Sequence, residues 1–286
     1  MPGDANDLPT NRIDDIKIDA RNHLWLLDDQ NFLYRFHPEN NKFHRFTSQT
    51  APVQNIFTLS DGDTWLFQSD GRLLRITPDE QAMACRQILG SSHGVRRVIS
   101  LVQDKEIIWI ISDKGIYKYS KENSKLTLAL STRKHFYSFR KYANKFIIGA
   151  DNGQLYIYDP RKDDYSIMKF NTSATLTRVK AYDSKHLLIT AENDGFFLTD
   201  GYRGEGVHYT ISNQLLSNEV NALYVEDSQK HIWIAYKNTT MITRIDSLGT
   251  YRKHYQLKMQ KYDDSPRQIS QDHDGRLWVF SKNEAL

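Results

Sequence analysis

The chain has 286 residues, of which 39% are hydrophobic and 26% charged, and 38 basic against 35 acidic residues leave a net charge of +3. That balance argues against nucleic acid, and no apolar run approaches the ~18 residues of a membrane helix. The single cysteine, Cys85, excludes a disulfide scaffold and every cysteine-based zinc pattern. The start, MPGDANDLPT, carries no basic or apolar leader, so either the chain is cytoplasmic or a leader has been removed from its front.

In chain order, short alternating apolar stretches recur as a phrase. The first copy reads IDDIKID, NHLWLLDD, FLYRF and KFHRF. The second reads VQNIFTLSD, TWLFQS, RLLRI and ACRQIL. The third reads VISLVQD, IIWIIS, IYKYS and KLTLAL. Two worn copies follow, with KFIIGADNG and HLLITAENDG in place of the tryptophan stretch. The sixth copy is VNALYVED, HIWIAY, MITRID and TYRKHY, and a seventh begins with RQISQD and RLWVFS. Period-2 alternation rich in Val, Ile, Tyr, Phe and Trp predicts strands, and the Asp, Asn and Gly between them predict tight turns.

All five tryptophans fall in one slot: Trp25, Trp65, Trp109, Trp233 and Trp278, with Ile147 and Leu188 or Ile189 in the worn copies. Anchors at 25, 65, 109, 147, 189, 233 and 278 give intervals of 40, 44, 38, 42, 44 and 45. A period of about 40–45 residues, four strands per copy, predicts an all-β, seven-bladed β-propeller with four-stranded antiparallel blades. The tryptophans are then structural blade anchors, packed between blades, and are not a sugar platform. Residues 1–10 form a lead, and 11–286 hold six full blades and the first half of a seventh. An unfinished blade would leave an unpaired edge, so the chain is expected to be a fragment of a longer protein.

The phrase LPTNRIDDIKIDARNHLWLLDDQNFLYRFHPENNKFHRF resembles the two-component-regulator propeller repeat, as do LLSNEVNALYVEDSQKHIWIAYKNTTMITRID and SPRQISQDHDGRLWVF. The likeness runs from Leu8 over nearly the whole chain. It departs in the tryptophan losses of blades four and five and in Leu-Leu, Leu-Phe and Ile-Ile where Ile-Gly usually follows Trp. The resemblance implies the periplasmic sensor region of a hybrid two-component system. In such proteins two propellers precede an immunoglobulin-like domain, a membrane helix and a cytoplasmic histidine kinase module. It further implies an oligosaccharide ligand from polysaccharide breakdown, a second propeller as partner, and a homodimer in the full-length protein.

The loops entering the first strand of each blade gather at one face of a propeller. Taking the residue before the first apolar position gives Arg12, Pro52, Arg97, His135, Arg178, Glu219 and Ser265, with Arg96, Arg133, Lys134 and Arg267 nearby. Guanidinium groups there would hold carboxylate or sulfate by paired hydrogen bonds, so Arg12, Arg97, His135, Arg178 and Arg267 are the candidate ligand-binding residues. The plain alternative is a solvated basic loop. The Asp-rich turns lack the alternating ligands and closing Glu of a calcium loop, and no histidine pair has helical zinc spacing, so no metal is expected. No P-loop, dinucleotide fingerprint or nucleophile elbow is present, which predicts no cofactor. An enzyme on the same scaffold, a lyase or glycoside-cleaving propeller, would need paired carboxylates or a His–carboxylate pair at the axis, and Glu219 is the one acid in the entry set. A protein-interaction scaffold is the third reading.

Overall fold

The structure is a computed structural model that describes residues 12–39, 41–46, 51–77, 85–201, 204, 206–247, 249, 251–258 and 265–281. The lead at 1–10 and the last five residues lie outside this set. Every described regular element is a strand apart from one 3-10 turn, Ser91–His93, and no described helix is long and apolar enough to cross a membrane.

Two compact units divide the chain, Met1–His135 and Phe136–Leu286. The first holds three sheets: β1 (Ile13–Ile18) to β4 (Lys42–Arg45) with β2 (Leu24–Asp28) and β3 (Leu33–His37) between; β5 (Val53–Thr58), β6 (Thr64–Gln68), β7 (Leu73–Ile76) and β8 (Cys85–Leu89); and β9 (Val98–Asp104), β10 (Ile107–Ser112), β11 (Gly115–Ser120) and β12 (Lys125–Ser131). The second holds β13 (Phe136–Tyr142), β14 (Lys145–Ala150), β15 (Gln154–Asp159) and β16 (Asp164–Lys169), then β17 (Leu176–Ala181), β18 (His186–Ala191), β19 (Phe196–Asp200) and β20 (Gly206–Tyr209). It continues with β21 (Val220–Val225), β22 (Ile232–Tyr236), β23 (Met241–Ile245) and β24 (Arg252–Gln256), and ends with β25 (Gln268–Gln271) and β26 (Leu277–Phe280). Each sheet is an antiparallel meander in chain order, six of four strands and one of two.

Within each unit the first strands of successive sheets lie side by side, β1 with β5 and β5 with β9, then β13 with β17 and β21 with β25. The first strand is therefore the inner one. Asparagine supplies the left-handed backbone in several connecting turns: Asn22, Asn152, Asn193 and Asn238 have φ of 64, 58, 55 and 58°.

The cores lie between successive blades. Trp25 and Leu27 pack with Val53, Ile56 and Leu66 of the second blade, and Trp65 and Phe67 pack with Ile108, Ile110 and Tyr119 of the third. In the second unit Ile147 meets Val179 and Ile189, Leu188 meets Leu223 and Ile234, and Trp233 meets Ile269 and Val279. The tryptophan slot thus faces the next blade, and the register settles its worn members. Ile147 pairs with Arg140 and Leu188 with Lys180, as Trp25 pairs with Lys17, so Leu188 and not Ile189 holds the slot.

Burial of the slot falls along the chain. Trp25, Trp65 and Trp109 are buried, Trp233 is half-buried, and Trp278 is 40% exposed. At the other end, Ile16 and Ile18 of β1 are 53% and 59% exposed, although Ile56 and Val179 at the position of Ile16 are buried.

Candidate functional site

The inner strands share one irregularity. In six blades the pairing of first and second strand slips by one residue after the first position, leaving Asp14, Gln54, Ile99, Tyr137, Thr177 and Asn221 as bulged residues. A bulge at the same step in each copy bends the entry of the inner strand and re-aims its side chains. Aligned on this register, the residue before β17 is Thr175, whose carbonyl accepts from Glu192 N at 2.9 Å, as that of Pro52 accepts from Ser69 N at 2.9 Å.

This register corrects one expected position. Arg178 is not in the entry loop: it pairs with Thr190 inside β17. The strand starts at Leu176, which the bulge at Thr177 separates from the apolar Val179 that follows Arg178. Ser265 keeps the entry slot, since Ser270 pairs with Trp278, and Arg267 occupies the bulge position of the two-stranded sheet.

The other candidate residues, Arg12, Arg97 and His135, belong to the first unit. Arg12 is exposed and pairs with Asp29 at 3.3 Å. Arg97 and Arg96 donate their backbone N–H groups to Asp113 Oδ1 at 3.2 and 3.1 Å, so that loop is tied down by a carboxylate. Lys114 Nζ donates to His135 Nε2 at 2.9 Å.

The second unit brings Arg178 and Arg267 together. With Lys180 they line a cavity of about 250 Å³ between the inner strands β17, β21 and β25, floored by Ala222 and Leu223. Lys180 donates to the Leu223 carbonyl. Arg178 remains open to solvent but is crowded by surrounding protein, and burial lowers its pKa. Burial also lowers the pKa of Lys180, and the charges of Arg178 and of Arg140 on β13 lower it further. Neither group owes any part of its shift to an acid. Four cations thus converge on the inner strands of this unit, and none is salt-bridged to an acid among the described residues. Like charges held together in a crowded site raise the free energy of the protein alone, and an incoming anion relieves that cost.

A second polar cluster lies in the first blade, where His23, His37 and Glu39 each place one ligand atom within 4.8 Å of the others. The expectation of no metal rested on helical spacing, and strands bring together residues 14 and 16 positions apart. A third feature concerns the tryptophans. Seven residues beyond the entry slot, Asp19, Glu226 and Asp272 accept the indole N–H of Trp25, Trp233 and Trp278 at 3.0, 3.5 and 2.8 Å. Blades four and five, which lack Trp, carry Tyr142 and Tyr182 there. Where the slot loses its indole the acid is lost as well, but the second blade keeps Trp65 with Leu59 there, so the acid accompanies the indole without being required by it.

No family model matches the chain, and no curated protein matches it by sequence. Solved structures do. The extracellular domain of a protein assigned as the hybrid two-component system BT3049 from B. thetaiotaomicron is 17% identical, with a TM-score of 0.64 over all of this chain and 40% of that one. The extracellular domain of BT4673 from the same organism, assigned as a one-component system, is 13% identical, with a TM-score of 0.58 over 98% of this chain and 46% of that one. The Dos1 propeller is 12% identical, with a TM-score of 0.69 over 93% of this chain and 74% of that one. The fold is a β-propeller. Its blades are the repeated sheets, as the tryptophan period predicts. The chain spans 40% of the length of the BT3049 structure and 46% of that of BT4673. At these identities the likeness carries the fold, and propellers serve many unrelated activities.

Proposed function

We propose that this propeller is an extracytoplasmic ligand-sensing module of a two-component signalling protein, and that its ligand is an anionic oligosaccharide held at Arg178, Lys180, Arg267 and Arg140. The observation that carries the ligand class is the inner-strand convergence of four cations, none salt-bridged to an acid among the described residues. The signalling context rests on the repeat resemblance and on the likeness to the two extracellular domains. The cavity, about 250 Å³, is below the ~300–1,000 Å³ of pockets that enclose a drug-sized ligand. It takes one uronate or sulfated unit, and the remainder of the chain extends outside. In this reading the propeller is one part of a longer protein with a second propeller and a kinase module. Ligand binding acts there by stabilising one arrangement of the assembled sensor over another.

An enzymatic reading finds no support at this cavity. Its lining contains no carboxylate and no histidine, whereas glycoside cleavage uses a carboxylate pair. A thermal-shift screen with neutral, uronate and sulfated oligosaccharides tests the proposal. Anionic members are expected to raise the melting temperature, because ligands that bind the native state stabilise it, and the rise is expected to shrink as salt is added. Equal shifts for neutral members, or none for any, would count against it.

A further inference from the structure

We infer that the first blade carries a transition-metal site of the Zn²⁺ class, formed by His23, His37 and Glu39. It is independent of the cationic cavity and of the sensing role. His23 Nε2 and His37 Nδ1 lie 3.7 and 3.0 Å from Glu39 Oε1. The two imidazole rings are 4.6 Å apart between centroids. In tetrahedral zinc sites metal–ligand distances are about 2.0–2.2 Å, which places neighbouring ligand atoms roughly 3.4 Å apart. Two edges of the triangle already bracket that value. The third edge, between the two histidines, is no longer than 4.8 Å, and Glu39 caps the pair from a side chain that is 59% exposed.

The surroundings favour a metal over a simple hydrogen-bonded cluster. His23 is buried, and its other ring nitrogen, Nδ1, lies 3.2 Å from Asp19 Oδ2. A carboxylate on the far nitrogen of a ligating histidine fixes its tautomer and aims its lone pair at the metal. Asp19 is itself held by the backbone N–H groups of Arg21 and His23 and by the Trp25 indole. Arg35 NH2 competes for the same nitrogen at 2.8 Å. A metal on Nε2 selects the tautomer that donates from Nδ1 to Asp19, and Arg35 then releases His23. Two imidazoles and one carboxylate suit Zn²⁺, Ni²⁺ or Cu²⁺ better than Mg²⁺ or Ca²⁺, which prefer all-oxygen shells. His44, exposed on β4, stands beside the cluster with its ring 5.1 Å from that of His37. Glu39 follows β3 and His23 precedes β2, so the metal would tie the β3–β4 turn to the β1–β2 turn.

The test is calorimetric titration of the tag-free full chain with Zn²⁺, beside His37→Gln, Glu39→Gln and the control His273→Gln, which is outside the cluster. Metal-free melting temperatures verify that each variant is folded. Wild type and the control are expected to bind one Zn²⁺ saturably at micromolar concentration. His37→Gln and Glu39→Gln are expected to weaken binding at least ~10-fold, the scale seen when a metal site loses even an outer partner. Zn²⁺ binding unchanged in both variants, or no saturable binding by wild type, would overturn the inference.

Discussion

At the residue scale, the acid that receives the tryptophan is the most consequential contact outside the cavity. Asp19 is buried, which alone would raise its pKa, but hydrogen bonds from Trp25 and from the Arg21 and His23 backbones outweigh burial and lower it. A carboxylate with a lowered native pKa contributes stability above its unfolded value of about 3.9 and loses it as pH falls through the native value. Asp19→Asn is therefore expected to cost about 1–3 kcal/mol at neutral pH, the usual penalty for unsatisfied buried partners. The difference from wild type should shrink in acid, as read by denaturant unfolding at pH 7 and pH 3. Lys180 behaves in the opposite sense. Its native pKa is lowered by burial and by Arg178 and Arg140, so the unfolded state binds more protons between that value and about 10.4. Stability attributable to this site rises with pH across that window, and below it the penalty is fully present. Lys180→Met is expected to melt no lower than wild type at pH 7, with any advantage fading towards pH 10.

At the element scale, the blade anchors are not equal. Trp65 is fully buried between the second and third blades, with Tyr119 edge-on at 5.7 Å. Its indole nitrogen has no hydrogen-bond partner among the described residues, because Leu59 stands where the other tryptophan-bearing blades have an acid. Trp65→Ala is expected to destabilise by about 3–5 kcal/mol, and the 40%-exposed Trp278 by clearly less. Chemical denaturation of the two variants separates them, and equal losses would contradict the inter-blade role. Blade contact also explains Gly149 of β14. A Cβ there would lie 2.4 Å from the Leu176 carbonyl and 2.5 Å from Ser138 Oγ, so Gly149→Ala should be destabilising although the backbone tolerates alanine.

These elements mark what the sequence made legible. The strands, their order and the tryptophan period were readable because side chains alternate with period 2 and large aromatics fill one slot. The bulge was not, since a single inserted residue leaves no compositional trace, and it displaced Arg178 from loop to strand. Nor was the grouping of Arg140, Lys180 and Arg267 with it. Their proximity depends on neighbouring inner strands, which no local pattern encodes.

At the scale of the whole molecule, the repeated blade places the same inner-strand positions beside one another, so small local choices accumulate into a field. In the second unit those choices are Arg140, Arg178, Lys180 and Arg267, and among the described residues none of them is salt-bridged to an acid. The central claim is that this cluster binds an anionic sugar chain. The most direct measurement is calorimetric titration of an anionic oligosaccharide drawn from the thermal-shift screen into wild type and into Arg178→Ala/Arg267→Ala. Hydrogen bonds to charged groups contribute about 1.5–3 kcal/mol each, so the double variant is expected to lose at least about tenfold in affinity. Its melting temperature without ligand should be unchanged or higher. Affinity preserved in the double variant, with the fold intact, would contradict the account.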